Sequence, residues 1–89
     1  MKIKEIMNIA INEIKCCPNE NRLILFCRDG VQRMVDVFSE TIIMRYIGSL
    51  NFNHLIRGCL SNDGRTLYAG SEDGIVHVWN VDTGNNTYF

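Results

Sequence analysis

The chain repeats itself once, with a spacing of 44 residues. The turn signals Asp29-Gly30 and Asp73-Gly74 lie this far apart, and each follows a short run suited to a β-strand. When the sequence is shifted by the same offset, Leu23 falls on Leu67, so that strands align with strands and turns with turns. Repetition at this spacing is typical of architectures in which one supersecondary unit is used several times and buries its apolar face against a neighbouring unit.

The second copy is clearest between residues 61 and 80. Two turn signals, Asn62-Asp63-Gly64 and Glu72-Asp73-Gly74, separate runs at 65–70 and 75–79 that are short enough for strands. Asp-Gly suits a tight turn because glycine adopts positive φ without steric cost and aspartate hydrogen-bonds nearby backbone. Two strands joined by so short a turn are predicted to pair as an antiparallel hairpin.

Each copy accommodates about four strands, and neither requires a helix. In the first copy, the pattern predicts strands at 11–16, 22–27, 31–37 and 41–47, with Ile14 and Cys16 on an inner face. The second copy predicts strands at 55–60, 65–70 and 75–79, and residues 87–89 begin a fourth. Because no window of about a dozen residues carries a helical apolar stripe, the predicted fold class is all-β, built from antiparallel four-stranded units.

Composition and charge narrow the possible function classes. The 89 residues are 46% hydrophobic and 21% charged, with a formal net charge of -1. The arginines are scattered and form no basic stripe, which argues against nucleic-acid binding. No apolar run reaches the roughly 18 residues of a membrane helix, and no long apolar stretch follows the N-terminal charges as in a secretion signal. We therefore expect a cytoplasmic protein without membrane insertion.

The four cysteines are predicted to be reduced structural thiols. They are Cys16, Cys17, Cys27 and Cys59. Their spacing contains neither Cys-x-x-Cys nor a paired Cys-His motif, so it does not match a zinc site. Disulfides are typical of secreted chains, and the sequence shows no secretion signal. We expect neither a metal nor another cofactor.

Residue types of a hydrolytic triad occur, but their spacing argues against catalysis. Ser71 and Asp73 flank a single tight turn, and no Gly-x-Ser-x-Gly elbow is present to expose a nucleophile. His77 shares a face with Trp79 and is predicted to pack within the sheet. Glu72 is adjacent to Asp73 in the turn, whereas acid–base pairs face each other across a cleft. The prediction is a protein that is not an enzyme.

The strand count, the repeat spacing and the Trp79-Asn80 pair that closes the third strand resemble the WD-repeat β-propeller family. The second copy matches best, and in the first copy Val35 stands where the family has tryptophan. The resemblance implies a degenerate WD-type blade at 11–47 and a second blade at 48–89 that lacks most of its last strand. Residues 1–10 are then an N-terminal tail or the end strand of a preceding blade. Since a propeller closes with about four blades or more, we expect a fragment whose remaining blades lie elsewhere.

The resemblance also implies a buried polar network in each blade. By position, Ser71, Asp73 and the indole of Trp79 are members of the network in the second blade. The family's Gly-His pair before the first strand is missing, and His54 is the candidate substitute. In the first blade Asp29 keeps its place, while apolar residues replace other members, so that blade is expected to depend on packing.

The function implied by the family is that of a protein–protein interaction scaffold whose partners include other, unidentified proteins. Turns between the second and third strands line one rim of the propeller, and here they present Arg28 and Glu72 as candidate partner-binding residues. Residues 48–52, 70–76 and 78–80, the last of them followed by Thr83-Gly84, are in addition similar to the propeller of a scaffold at the ciliary base. The alternative is an independently folded small β domain that binds a ligand between its sheets or assembles with itself.

Overall fold

A computed structural model describes residues 1–18, 21–50 and 58–88. In these residues a single-turn 3-10 helix, Lys4–Ile6, precedes the strands. The strands are β1 (Ile11–Cys16), β2 (Arg22–Cys27), β3 (Gln32–Asp36), β4 (Thr41–Tyr46), β5 (Gly58–Leu60), β6 (Thr66–Gly70), β7 (Val76–Asn80) and β8 (Asn86–Tyr88). They form two four-stranded antiparallel sheets, β1–β4 and β5–β8, each in chain order. The predicted all-β fold of antiparallel four-stranded units is confirmed.

The two repeated turns have the same local structure. Asp29 Oδ1 accepts a hydrogen bond from the Val31 N–H at 3.1 Å, and Asp73 Oδ1 accepts one from the Ile75 N–H at 3.0 Å. The glycine that follows each aspartate has φ near +85° or +82°, a region that side chains with a Cβ rarely adopt. The Asp-Gly pairs therefore reverse the chain by the mechanism that the sequence indicates.

The main core lies between the two sheets. Because side chains alternate along a strand, one face of the first sheet presents Ile24, Phe26 and Tyr46 to Leu67 and Trp79 of the second. Each of these five side chains is at most 1% exposed. The sheets shield their apolar surface against each other, as the repeat pattern indicates.

A polar contact closes this interface at one edge. The hydroxyl of Tyr46 donates to the carbonyl oxygen of Val81 at 2.7 Å, which joins the end of β4 to the chain that leaves β7. Burial raises the pKa of Tyr46, so this hydroxyl keeps its proton and remains a donor. The contact lets a polar atom enter the apolar core without losing its hydrogen bond.

The opposite, outer face of the first sheet is covered by the N-terminal segment, which we define as residues 1–10. Ile3, Ile6 and Ile9 pack against a cluster that includes Leu25 and Val35. The segment contains the 3-10 turn Lys4–Ile6, and none of its ten residues belongs to a strand. Isoleucines at every third position lie on one side of a helix with about three residues per turn. The 3-10 turn therefore places all three against the sheet without a strand partner.

The predicted inner-face position of Ile14 and Cys16 is wrong. Ile14 is 54% exposed and Cys16 is also exposed. Both lie in β1 directly opposite residues of β2, Ile14 opposite Leu25 and Cys16 opposite Leu23, and so share the outer face of the sheet. The N-terminal segment packs mainly over the residues of β2, β3 and β4 in that face, which leaves these side chains uncovered.

Two further observations concern the state of the cysteines and the presence of membrane-spanning helices, both of which were predicted from composition. All four cysteines lie in the described part of the chain, where none of them forms a disulfide, and Cys17 and Cys27 are buried. Within residues 1–18, 21–50 and 58–88, no helix has the length and apolar character needed to cross a bilayer.

Candidate functional site

Residues 47–50, the described part of the connection between the sheets, are hydrogen-bonded to the second sheet and to the turn that follows β6. The Trp79 indole N–H donates to the Ile47 carbonyl at 3.1 Å, and the amide of Asn86 donates to the same oxygen at 2.9 Å. The Leu50 N–H donates to Ser71 Oγ at 2.7 Å, while the Leu50 carbonyl accepts from the Glu72 N–H at 2.9 Å. Residues 47–50 are therefore held in place by the polar groups of the second sheet and its turn.

The predicted network members in the second unit occupy two places. A hydrogen bond from Ser71, together with the N–H of Ile75, holds the pKa of Asp73 below its ordinary value. Ser71 and Asp73 are thus brought together at the turn between β6 and β7. The indole of Trp79 bonds to the Ile47 carbonyl instead. His54 lies outside the described residues.

His77 belongs to this cluster, although its position in the sequence predicted only packing within the sheet. It is 1% exposed, and its ring stacks on Trp79 with centroids 5.7 Å apart. Its Nδ1 lies 3.1 Å from the side-chain nitrogen of Asn86. Since an amide nitrogen can only donate, Nδ1 is the acceptor. The alternation that places His77 on the face of Trp79 indicated its burial but not this partner.

In the first unit, Asp29 forms a salt bridge that was not predicted from the sequence. Arg33 donates to both carboxylate oxygens of Asp29, at 3.1 and 2.7 Å. Burial alone would raise the pKa of Asp29, but the hydrogen bonds from Arg33 and from the Val31 N–H lower it overall. The Arg33 side chain is only 6% exposed, and a 44-residue shift places it on His77. An arginine within the apolar stripe of β3, four residues after Asp29, was the available signal.

Glu5, in the N-terminal segment, accepts a further hydrogen bond from the Arg33 of this pair. Its Oε2 accepts hydrogen bonds from Arg33 Nε at 2.7 Å and from Arg45 Nε at 2.9 Å, and its Oε1 also contacts Arg45. Hydrogen bonds from Arg45 and then Arg33 lower the pKa of Glu5 to about 2. The carboxylate therefore stays ionised between two guanidinium groups that face each other across β3 and β4.

The candidate rim residues Arg28 and Glu72 occupy equivalent, half-buried positions in the two turns. The Arg28 N–H donates to the Ala10 carbonyl at 2.8 Å, as the Glu72 N–H does to Leu50. In both units, the backbone of the turn between the second and third strands therefore hydrogen-bonds to the segment that precedes the first strand of the unit. Their side chains carry opposite charges at matching places in the repeat.

No three histidine, cysteine, aspartate or glutamate side chains in residues 1–18, 21–50 and 58–88 come together in a way that could hold a metal ion. The arrangement is instead one of ion pairs and hydrogen bonds that join sheets, turns and connections.

Comparison with known proteins places this sequence among WD-repeat proteins. Mouse jouberin is 33% identical over 84 residues, which cover 94% of this chain and 8% of jouberin. Drosophila melanogaster WD repeat-containing protein 82 is 38% identical over 68 residues, covering 74% of this chain and 22% of that protein. Xenopus laevis WD repeat-containing protein 44 is 30% identical over 71 residues, covering 80% of this chain and 8% of that protein. No family model matches the sequence.

Proposed function

Because the chain belongs to the WD-repeat family, we propose that it is part of a non-catalytic scaffold on which other proteins assemble. Residues 11–47 and 48–89 are two blades of a β-propeller, and the parent protein supplies the others. The observation that carries the proposal is the packing of two four-stranded antiparallel sheets over one shared core. Repeats of this kind expose loops and rims for partners while their cores hold the ring together.

The partner-binding residues in this proposal are Arg28 and Glu72. They occupy the turns after β2 and β6, which are equivalent in the repeat. Charges at the rim of an interface act mainly on specificity and association rate. The structural residues Asp29, Ser71 and Asp73 hold the same turns in shape, and Trp79 fixes the second blade to its connection.

The test is quantitative capture of interacting proteins by the full-length protein with Arg28→Glu and Glu72→Arg. We expect the doubly substituted protein to lose partners that the unsubstituted protein retains, without a change in melting temperature. Glu40→Lys is the control, because Glu40 is exposed and lies in the turn between β3 and β4. Unchanged capture by a folded double variant removes both residues from the interface.

A finer part of the proposal concerns location in the cell. The ciliary-base scaffold that residues 48–52, 70–76 and 78–80 resemble is jouberin, and the chain spans only 8% of that protein's length. We therefore propose a cytoplasmic protein concentrated at the ciliary base or its cytoskeleton. A fluorescent fusion of the full-length protein, imaged with a basal-body marker in ciliated cells, tests this. A uniform cytoplasmic signal argues against it.

The second candidate is an independently folded β domain that binds a ligand or assembles with itself. It is favoured by the cover that residues 1–10 give to the outer face of the first sheet, because such a cover removes one open apolar surface. Sedimentation with thermal unfolding of the 89-residue chain separates the candidates. A monomer with one sharp transition supports the independent domain, whereas aggregation or a broad transition supports the propeller segment.

A further inference from the structure

Three segments meet at one end of the two sheets. The turns after β2 and β6 lie at the end where the chain crosses from β4 to the second sheet, because successive turns of an antiparallel sheet alternate between its ends. In the crossing chain, the Ser49 hydroxyl donates to the Gly30 carbonyl of the first turn at 3.2 Å, and both backbone groups of Leu50 bond to the second turn. We define the turn surface as residues 28–31, 47–50 and 71–74.

Arg28 lacks a carboxylate partner in the part of the chain that the structure describes. The residue is half-buried, and its Nε is shielded from solvent without a hydrogen-bond partner. The adjacent carboxylate, Asp29, is bound through both oxygens by Arg33. A partly buried guanidinium without an acceptor gives up hydrogen bonds to water and does not replace them. A carboxylate from another protein can supply the missing acceptor at the terminal nitrogens of Arg28.

The turn surface also exposes apolar side chains next to the turn of Arg28. Ile47 is 63% exposed and Leu50 is 42% exposed. Their backbone is fixed, since the Ile47 carbonyl accepts from Trp79 and Asn86, and Leu50 is bonded to the second turn. A partner that binds here therefore orders little of this surface, which lowers the entropic cost of association.

The charges differ between the two sides of the turn surface. The first turn presents the cation of Arg28, whereas the second turn carries Glu72 and Asp73. Phosphorylated motifs are bound by clusters of arginines, but a single arginine beside a turn with two carboxylates is matched by one carboxylate. A second acidic group on the partner would meet like charge over the second turn, which disfavours that orientation.

We propose that the turn surface binds a protein segment in which one aspartate or glutamate lies next to an apolar residue. The carboxylate pairs with the terminal nitrogens of Arg28, the apolar side chain covers Leu50 and Ile47, and the end of the segment near Glu72 carries no acid. Two parallel N–H···O bonds from arginine to a carboxylate add geometric specificity as well as affinity. The inference rests on the proposed scaffold function, because it names the chemistry of the partner at the same two turns.

The test is photo-cross-linking from position 50 in the full-length protein. Leu50 is replaced by p-benzoylphenylalanine, which suits this position because the side chain is exposed and the hydrogen bonds of the residue are made by its backbone. After irradiation of cells that express the protein, mass spectrometry identifies the cross-linked partner peptide. We expect an aspartate or glutamate within a few residues of the cross-link. The same photoreactive residue at Phe38, 80% exposed at the other end of the first sheet, is the control and should not capture this peptide.

The requirement for Arg28 is tested in the same experiment. Arg28→Glu should lower the yield of the cross-link from position 50 at least about tenfold, because a hydrogen-bonded charge pair is replaced by like charges. Arg65→Glu is the matched control, since Arg65 is exposed in the turn between β5 and β6 at the opposite end, and it should leave the yield unchanged. Lysine in place of the partner's acidic residue should restore the cross-link to the Arg28→Glu protein. A captured peptide without aspartate or glutamate, a yield that does not depend on Arg28, or failure of the charge exchange overturns the proposal.

Two results separate this inference from the proposed scaffold function. If protein capture depends on Arg28 and Glu72 but position 50 gives no cross-link, or captures a peptide without a carboxylate, the scaffold proposal stands and the carboxylate-bearing segment is wrong. If the folded protein neither captures partners through these turns nor cross-links from position 50, both are wrong.

Discussion

The indole N–H of Trp79 donates to the backbone carbonyl of Ile47, 3.1 Å away and 32 residues earlier in the chain. Asn86 donates to the same oxygen from β8. One carbonyl at the end of the first sheet thus fastens two strands of the second. Because the ring of Trp79 also fills the core between the sheets, a single side chain joins apolar packing to the path of the connection.

Trp79→Ala is expected to destabilise the chain by about 3–5 kcal/mol, because it removes a completely buried ring and leaves a cavity between the sheets. The free energy of unfolding from urea titration, followed by circular dichroism, measures this. Tyr68→Ala is the matched control, since Tyr68 lies in the paired strand β6 but is 39% exposed. A loss below about 1 kcal/mol for Trp79→Ala, or equal losses for both variants, contradicts the burial of Trp79.

Arg33→Ala is expected to cost about 1–3 kcal/mol, because the carboxylate of Asp29, which is 32% exposed, loses its bidentate partner. Arg45→Ala removes the same kind of side chain from the opposite strand. Its loss is expected to be much smaller, since that side chain is 47% exposed. Thermal unfolding of both variants at the same pH gives the comparison. Similar melting temperatures for the two contradict the ranking.

Acid is expected to release the N-terminal segment. The pKa of Glu5 is lowered to about 2 in the folded chain by hydrogen bonds from Arg45 and Arg33, from an ordinary value of 4.5. A folded-state pKa below the unfolded value gives stability that is fully present above the unfolded pKa and disappears as the pH falls through the folded one. The stabilising effect of Glu5 should therefore be complete above about pH 5 and fade towards pH 2.

The difference in unfolding free energy between the unsubstituted chain and Glu5→Gln isolates this contribution from other carboxyl groups. Asp36, Asp63 and Asp73 also have lowered pKa values, caused chiefly by hydrogen bonds from Ser39, Ser61 and Ser71, respectively, and they act equally in both chains. The difference should be constant from pH 7 to about pH 5 and shrink below that. A difference that stays constant down to pH 2 argues against the contacts of Glu5 with both arginines.

Thiol reactivity should divide the cysteines into two pairs. Cys16 and Cys59 are exposed, whereas Cys17 and Cys27 are buried, and burial also raises the pKa of Cys27. Iodoacetamide in native buffer is expected to alkylate the exposed pair first, because the thiolate and access to it control the reaction. Peptide mass spectrometry over time measures the order. In urea all four should react at similar rates, and the same order persisting there means that burial is not the cause.

The sequence alone was sufficient for the two four-stranded antiparallel units. Alternation of side chains and Asp-Gly turns depend on neighbours within a few residues, so the turns at Asp29 and Asp73 and the shared face of His77 and Trp79 were predictable. Local patterns state which residues share a face, but they do not state what covers that face.

Only the tertiary structure decided how each face is covered. Ile14 looked like a core residue because it alternates correctly, yet the segment that covers its sheet leaves it exposed. Glu5 meets Arg33 and Arg45 across 28 and 40 residues of chain, and the indole of Trp79 meets Ile47 across 32. Such contacts depend on how distant segments pack, and periodicity along a strand does not predict them.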